Sequence, residues 1–169
     1  IMSKGLTCFG KEAIEEMEHL GILVDVSHLS DGGFWDVVKL SKKPVMASHS
    51  NCRALAPHRR NLTDDMIRAL ANKGGVMGLN FYGPFLNEDS ACMKSRIPGM
   101  LAHLKHMIKV GGSDMPAIGS DFDGMNGEFD ISDCSKMQLL FEAMERNGFT
   151  EEQIEKIAYK NVERVIKET

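Results

Sequence analysis

Short apolar runs alternate with helix-like stretches along almost the whole of this 169-residue chain. Four apolar runs predict β-strands, at residues 22–26, 45–48, 76–80 and 117–120. Stretches with apolar residues at helical spacing separate these runs, for example at residues 31–40 and 97–110. Because strands that alternate with helices form parallel sheets with helical crossovers, the pattern predicts an α/β fold.

Two architectures fit this pattern, a small doubly wound sheet and part of a (β/α)8 barrel. No GxGxxG or GxxxxGK[ST] sequence follows any of the runs, so nucleotide binding lacks its usual signature. A whole barrel typically needs about 250 residues, and four strands are half of one. We therefore expect a single domain, residues 1–169, with four parallel strands in sequential order, outer helices and extra C-terminal helices. The last of these helices is expected to start at Asn161, after a break.

Charge, hydrophobicity and cysteine content indicate which kinds of partner and which compartment to expect for this chain. The formal net charge is −4, from 20 Lys and Arg against 24 Asp and Glu, which argues against nucleic acid as a partner. No apolar run reaches the roughly 18 residues that a membrane span requires. The four cysteines lie far apart without a CxxC pair, so we expect reduced thiols and a cytoplasmic location.

Groups that can bind metal or transfer protons follow three of the four predicted strands. His28 follows the first, His49 the second and Asp121 the fourth, in a segment that also contains Asp123. The C-terminal ends of parallel strands form the active face of α/β folds, and neighbouring strands lie about 4.8 Å apart. Two imidazoles at adjacent strand ends can therefore converge on one ion. Asp123 precedes Gly124 and fits a turn better, which leaves Asp121 freer for chemistry.

A basic cluster at residues 57–61, sequence PHRRN, follows the second predicted strand. It can be a solvated loop, or it can capture an anion at the mouth of a site, because arginine binds a carboxylate through two hydrogen bonds. The role of His58 stays open. His19, His103 and His106 lie in helical segments and are expected to be solvated or packing side chains.

These residues together resemble the membrane (renal-type) dipeptidase family, zinc peptidases of the amidohydrolase-like barrel class. The matching motifs are DVSH at residues 25–28, SHS at 48–50, HRRN at 58–61 and GSDFDG at 119–124, in that order. The spacing of 21 residues from His28 to His49 and of 11 from His49 to Arg60 is similar to that of the family. The resemblance covers nearly the whole chain and implies the C-terminal half of a (β/α)8 barrel.

The resemblance also implies roles for individual residues. His28 and His49 resemble the two histidine ligands of the second zinc ion in a two-zinc centre. Arg60 resembles the residue that holds the terminal carboxylate of a dipeptide substrate. Asp121 resembles the catalytic carboxylate at the end of the last barrel strand, with Asp123 as the alternative.

The family's early His-x-Asp pair, its bridging glutamate and a further histidine have no counterpart in this sequence, which resembles only the C-terminal half of a dipeptidase. The first hypothesis is therefore zinc-dependent hydrolysis of dipeptides, to which this chain supplies the second half of the site. The alternatives are a related metal-dependent amidohydrolase with another amide substrate and a catalytically silent half-barrel. The chain alone is expected to be inactive, and its open sheet edges favour a homo-oligomer or pairing with an N-terminal half.

Overall fold

The computed structural model describes residues 3–169. Its strands are all short, namely β1 (Met46–Ala47), β2 (Val76–Leu79), β3 (Lys94–Ser95), β4 (Pro116–Ile118) and β5 (Glu128–Phe129). Its α-helices lie before, between and after them, namely α1 (Cys8–His19), α2 (Asp31–Leu40), α3 (Asp64–Asn72), α4 (Gly83–Leu86), α5 (Ile97–Gly111), α6 (Met137–Arg146), α7 (Glu151–Glu155) and α8 (Asn161–Glu168). The predicted α/β class is therefore confirmed.

The main sheet has the order β1-β2-β4, and both strand pairs are parallel. The first predicted strand, residues 22–26, joins this sheet through a single parallel bridge between Asp25 and Met46. Two hydrogen bonds hold it there, from Val26 N to Met46 O at 2.8 Å and from Met46 N to Val24 O at 2.9 Å. The predicted sequential, parallel order is confirmed, although the strands are shorter than predicted.

A second, two-stranded parallel sheet pairs β3 with β5 and was not predicted. Its sequences carry no apolar run, so hydrophobic periodicity gives no sign of them. Ion pairs hold the two strands together instead. Arg96, next to β3, contacts Glu128 of β5 and also Asp130, the latter at 2.8 Å. The pairing depends on side chains more than 30 residues apart in sequence.

Side-chain caps explain why several helices begin where they do. Ser30 accepts a hydrogen bond from Gly33 N at the start of α2, which has the predicted bounds. Thr63 caps α3 in the same way, with Asp64 and Asp65 in its first turn. Thr150 forms the predicted capping box with Gln153.

The predicted break before Asn161 is wrong. A π-helical turn, Lys156–Lys160, links α7 to α8 and keeps the chain helical. Within this turn Ile157 belongs to the large hydrophobic core, whereas Val165, in the helix that follows, packs in a separate small cluster with Val76 and Ala117. One helical segment thus covers two apolar surfaces.

Both faces of β2 are buried. Met77 and Leu79 belong to the large core, whose other members include residues of α3 and α5, and Val76 belongs to the small cluster beneath α8. This packing holds the C-terminal strand ends in place. Within residues 3–169, no helix is both long and apolar enough to cross a bilayer, and all four cysteines are free thiols.

His103 on α5 is a fully buried imidazole that holds two neighbouring segments. Its Nδ1 accepts a hydrogen bond from Cys52 N at 3.0 Å, and its Nε2 lies 3.2 Å from Leu86 O. The ring is therefore neutral, with its proton on Nε2, which agrees with the packing role expected for it. Burial lowers the pKa of His103 from 6.5 to about 4.

We expect this histidine to make stability depend on pH. Below pH 6.5 the unfolded chain takes up a proton that the folded chain does not, so stability falls as the pH drops towards 4. The full loss is about 3 kcal/mol, at about 1.4 kcal/mol per pKa unit. Urea unfolding at pH 7 and pH 4.5 measures it. His103→Gln removes the titrating group and should lower the pH dependence, and equal dependence in both proteins would contradict this prediction.

Candidate functional site

The two predicted histidine ligands meet at the C-terminal ends of neighbouring strands. His49 lies two residues after β1, and His28 follows the segment that pairs with β1. Their Nε2 atoms are 2.8 Å apart, and the ring centroids are 4.9 Å apart with a tilt of 57°. The structure thus brings together two imidazoles that are 21 residues apart in sequence.

Arg60 lies beside His28. One guanidinium nitrogen donates to the carbonyl oxygen of Ser27, and the other lies 3.3 Å from His28 Nε2. The guanidinium carbon also lies 5.6 Å from the ring centroid of Phe85, within the range of a cation–π contact. Burial lowers the pKa of Arg60, and the charge of Asp121 opposes this shift, so the group stays positively charged.

Asp121 follows β4 in the left-handed backbone conformation, with φ at 62°. Its Oδ2 accepts a hydrogen bond from Asn80 Nδ2 at 3.1 Å. Burial lowers the pKa of His49, while the nearby charge of Asp121 partly raises it again. Asp123 is exposed in a short 3-10 turn and makes neither contact. The surroundings therefore favour Asp121 over Asp123 as the group that faces the histidines.

Asn80, at the end of β2, was not selected from the sequence. It is fully buried, donates to Asp121 and accepts a hydrogen bond from Tyr82 N at 2.7 Å. Asn51 in turn accepts from Asn80 N at 3.0 Å and donates to Asn80 O at 2.8 Å. Asn80 is the last residue of the predicted strand 76–80, and a single amide at that place does not by itself indicate a functional residue.

Asp25 and Ser48 form a chain of contacts that leads to His49, and no sequence pattern predicts this role for them. Ser48 Oγ donates to Asp25 Oδ2 and lies 2.7 Å from His49 Nδ1. Hydrogen bonds from Ser48 and Ser27 outweigh the opposing effect of burial and hold the pKa of Asp25 below 3.8. The carboxylate is therefore ionised at neutral pH.

Two glycines, Gly78 and Gly119, let the backbone at β2 and β4 approach the carbonyl group of Ser48 closely. A Cβ at Gly78 or at Gly119 would lie well under 3.0 Å from the carbonyl oxygen of Ser48. Neither glycine has a positive φ, so the requirement is space and not backbone conformation. The positions of Ser48 and of the segment before Asp121 thus depend on the absence of two side chains.

The residues of the basic cluster at 57–61 have different surroundings. His58 packs on the ring of Phe85 at a centroid distance of 4.6 Å, and its Nδ1 accepts from Arg60 N at 3.2 Å. Burial lowers the pKa of His58, and the neighbouring arginines lower it further. Arg59 is exposed, so Arg60 is the arginine of the pair that lies at the histidines.

The sequence model of the membrane dipeptidase family (peptidase family M19) matches residues 2–169. The chain belongs to the membrane dipeptidase family. Among members and neighbours, it is 39% identical over 168 residues to an uncharacterized dipeptidase of Schizosaccharomyces pombe. It is 34% identical over 164 residues to an uncharacterized protein in the pqqA 5′ region of Klebsiella pneumoniae.

Solved structures of this family have the same fold. A metallo peptidase of Rhodobacter sphaeroides, liganded with a phosphinate mimic of the dipeptide L-Ala-D-Ala, superposes with a TM-score of 0.94 at 36% identity. The comparison covers 98% of this chain and 48% of that one. The matches above cover 40% of the S. pombe dipeptidase and 60% of the K. pneumoniae protein. The chain thus spans about half the length of its relatives, in agreement with half of a barrel.

Membership of a metallopeptidase family implies a metal cofactor, and the two imidazoles fit one. Two nitrogen ligands of a tetrahedral zinc ion, each at about 2.1 Å, lie about 3.4 Å apart. The observed separation of 2.8 Å therefore needs only a small opening of the pair. Within residues 3–169, no group of three or more His, Cys, Asp or Glu side chains is placed to hold a metal ion.

Proposed function

We propose that this chain contributes to a zinc-dependent dipeptidase site in which His28 and His49 bind metal. Arg60 binds the terminal carboxylate of the dipeptide, and Asp121 transfers a proton. The observation that carries the proposal is the pair of Nε2 atoms facing each other at 2.8 Å beside a guanidinium group. Membership of a metallopeptidase family supports it.

The chemistry of the donors favours zinc. Imidazole nitrogens suit zinc and other transition metals, whereas magnesium and calcium prefer oxygen ligands. In an intact two-zinc site, these histidines would hold the second ion. A bound zinc ion would lower the pKa of a coordinated water towards about 7 and polarise the peptide carbonyl.

Arg60 accounts for a dipeptide as the substrate class. Its guanidinium carries five N–H groups, and the contacts with Ser27 and His28 leave donors for a carboxylate. In a longer peptide an amide group would stand where this carboxylate binds, so the arginine favours a free C-terminus. The dipeptide mimic bound to the R. sphaeroides relative supports the same substrate class.

Asp121 is the group proposed to move the proton. Its carboxylate is held by Asn80, and its charge acts on both His49 and Arg60. From this position it can accept the proton of the attacking water and pass it to the leaving amine, as a general base and then a general acid. The left-handed backbone conformation of Asp121 turns the chain after β4, at the residue that carries this carboxylate.

We expect a polypeptide of residues 1–169 to bind zinc weakly and to hydrolyse dipeptides little. A catalytic zinc ion normally has three protein ligands, and this chain offers two histidines. Calorimetric titration with zinc should show binding that His28→Ala and His49→Ala abolish. His19→Ala, an exposed histidine on α1, serves as the matched control and should leave the titration unchanged. Zinc binding that ignores both site substitutions would contradict the proposal.

The same samples test the substrate. With zinc present, Ala-Ala should perturb the side-chain NMR signals of Arg60, and the C-terminally amidated dipeptide should not. Arg60→Lys should weaken this binding about tenfold or more, because a lysine cannot form the two parallel hydrogen bonds. Equal binding of the acid and the amide would contradict a carboxylate-binding role. Robust turnover with two tightly bound zinc ions would contradict the half-site.

A further inference from the structure

The carboxylate of Asp25 is held in one orientation by the backbone. Its Oδ1 accepts from Ser27 N and from Ser48 N, each at 3.0 Å. Its Oδ2 accepts from the hydroxyl of Ser48. The two oxygens of this carboxylate thus have different partners, two backbone N–H groups for Oδ1 and the Ser48 hydroxyl for Oδ2.

This arrangement determines how Ser48 can bond to His49. A serine hydroxyl has one proton, and an ionised carboxylate can only accept. The Ser48 proton therefore goes to Asp25, and Ser48 Oγ is left to accept from His49 Nδ1 at 2.7 Å. The ring proton of His49 then lies on Nδ1, and its Nε2 carries a lone pair directed at His28.

The contacts of His28 Nε2 are compatible with an acceptor at His49 Nε2. Without a cation, the 2.8 Å contact between the two Nε2 atoms is a hydrogen bond when His28 Nε2 carries the proton and His49 Nε2 accepts it. With a cation between them, both nitrogens would present lone pairs. In either state His49 Nε2 is unprotonated, in agreement with a ring proton on Nδ1.

We propose that Asp25 is a positioning residue that acts through Ser48 to keep His49 in the Nδ1-protonated tautomer, so that Nε2 is free to bind metal. This inference rests on the proposed metal site for its purpose, but the tautomer itself exists without metal. Hydrogen-bonded partners of this kind fix the ring orientation and the tautomer of metal-binding histidines. The inference adds a defined task for two side chains that do not touch the metal.

Asp25→Asn tests the relay, because the backbone also determines how the amide must lie. Ser27 N and Ser48 N need an acceptor at the Oδ1 position, so the amide oxygen stays there and the NH2 group takes the place of Oδ2. That NH2 group donates to Ser48 Oγ, which then directs its own proton to His49 Nδ1. The ring proton moves to Nε2, which weakens His49 as a metal ligand although neither proposed ligand has been replaced.

The deciding measurement is the pair of ring-nitrogen chemical shifts of His49, in metal-free protein at pH 8, by long-range proton–nitrogen NMR. The His49→Gln spectrum assigns the signal. The wild-type chain should show a protonated Nδ1 and an unprotonated Nε2, and Asp25→Asn should show the reverse. Asp36→Asn is the matched control, since Asp36 also accepts a hydrogen bond from a backbone N–H, that of Leu6, at a distance of 2.7 Å. Asp36 makes no hydrogen bond to either histidine in the described part of the chain. This variant should retain the wild-type pattern.

A wild-type His49 protonated on Nε2, or an unchanged pattern in Asp25→Asn, would overturn the proposal. A zinc titration distinguishes a failure of this proposal from a failure of the proposed function. If the wild-type chain binds zinc, Asp25→Asn should weaken binding by about 10- to 100-fold, the cost of losing such a partner. If the tautomer shifts as expected but no zinc binds through His28 and His49, the relay stands and the metal site fails.

Discussion

Replacing Gly119 with alanine is expected to destabilise the fold by about 3 kcal/mol or more. The new Cβ would lie well under 3.0 Å from the carbonyl oxygen of Ser48, and this neighbour is backbone that cannot rotate away. Overpacking of this kind costs about 1–3 kcal/mol and occasionally more, and a clash between strand ends belongs at the upper end. Because Ser48 supports His49, the strain should also disturb the histidine pair.

Urea unfolding followed by circular dichroism measures the effect, and Gly78→Ala should behave in the same way. Gly99→Ala is the matched control, because Gly99 lies in α5 and the nearest atoms to its added Cβ are 3.9 Å away. Alanine is the better helix former, so this control should be neutral or stabilising by up to about 1 kcal/mol. A Gly119→Ala protein as stable as wild type would show that the strand ends can separate at little cost.

Replacing Asn51 with leucine is expected to cost about 3–5 kcal/mol. Asn51 is fully buried and pairs with both backbone groups of Asn80, and it also donates to Phe85 O at 3.1 Å. Leucine has a similar size but cannot form hydrogen bonds, and each buried backbone group left unpaired costs about 1–3 kcal/mol. The loss is large against a typical stability of about 5–15 kcal/mol.

Chemical denaturation measures this loss, and Asn126→Leu provides the comparison, since Asn126 is exposed. The control should stay within about 0.5 kcal/mol of wild type. The NMR signals of Asp121 should also shift in Asn51→Leu, because Asn80 connects the two residues. A stable Asn51→Leu protein would mean that water or a rearranged backbone satisfies these groups.

Hydrophobic pattern was sufficient to predict the parallel sheet and its order. Because buried strands need apolar side chains on both faces, the apolar runs at residues 45–48 and 76–80 contain β1 and β2, and the run at 117–120 overlaps β4, which begins one residue earlier. The same rule placed His28 and His49 at adjacent strand ends, where the structure brings them together. The apolar runs thus predict well which residues lie at the C-terminal ends of the strands.

Two features that depend on individual side-chain contacts between strands could not be predicted. The pairing of β3 with β5 depends on Arg96, and the hydrogen bond from the Ser48 hydroxyl to Asp25 depends on the register of a single bridge. Neither leaves a periodic trace in the sequence. Asn80 could not be predicted for another reason, since an amide at the end of a strand is usually a turn residue, and its role becomes visible only with its partner Asp121.

The π-helical turn between α7 and α8 fixes the rotational phase of the C-terminal helix. An α-helix advances by about 100° per residue, so the deletion of one residue within Lys156–Lys160 would turn α8 by that angle about its own axis. Val165 would then leave the cluster with Val76, and Asn161 would lose its bonds to the carbonyls of Ser113 and Pro116. The extra residue in this turn therefore sets which side of the last helix meets the strands, and the length of this segment is as constrained as its composition.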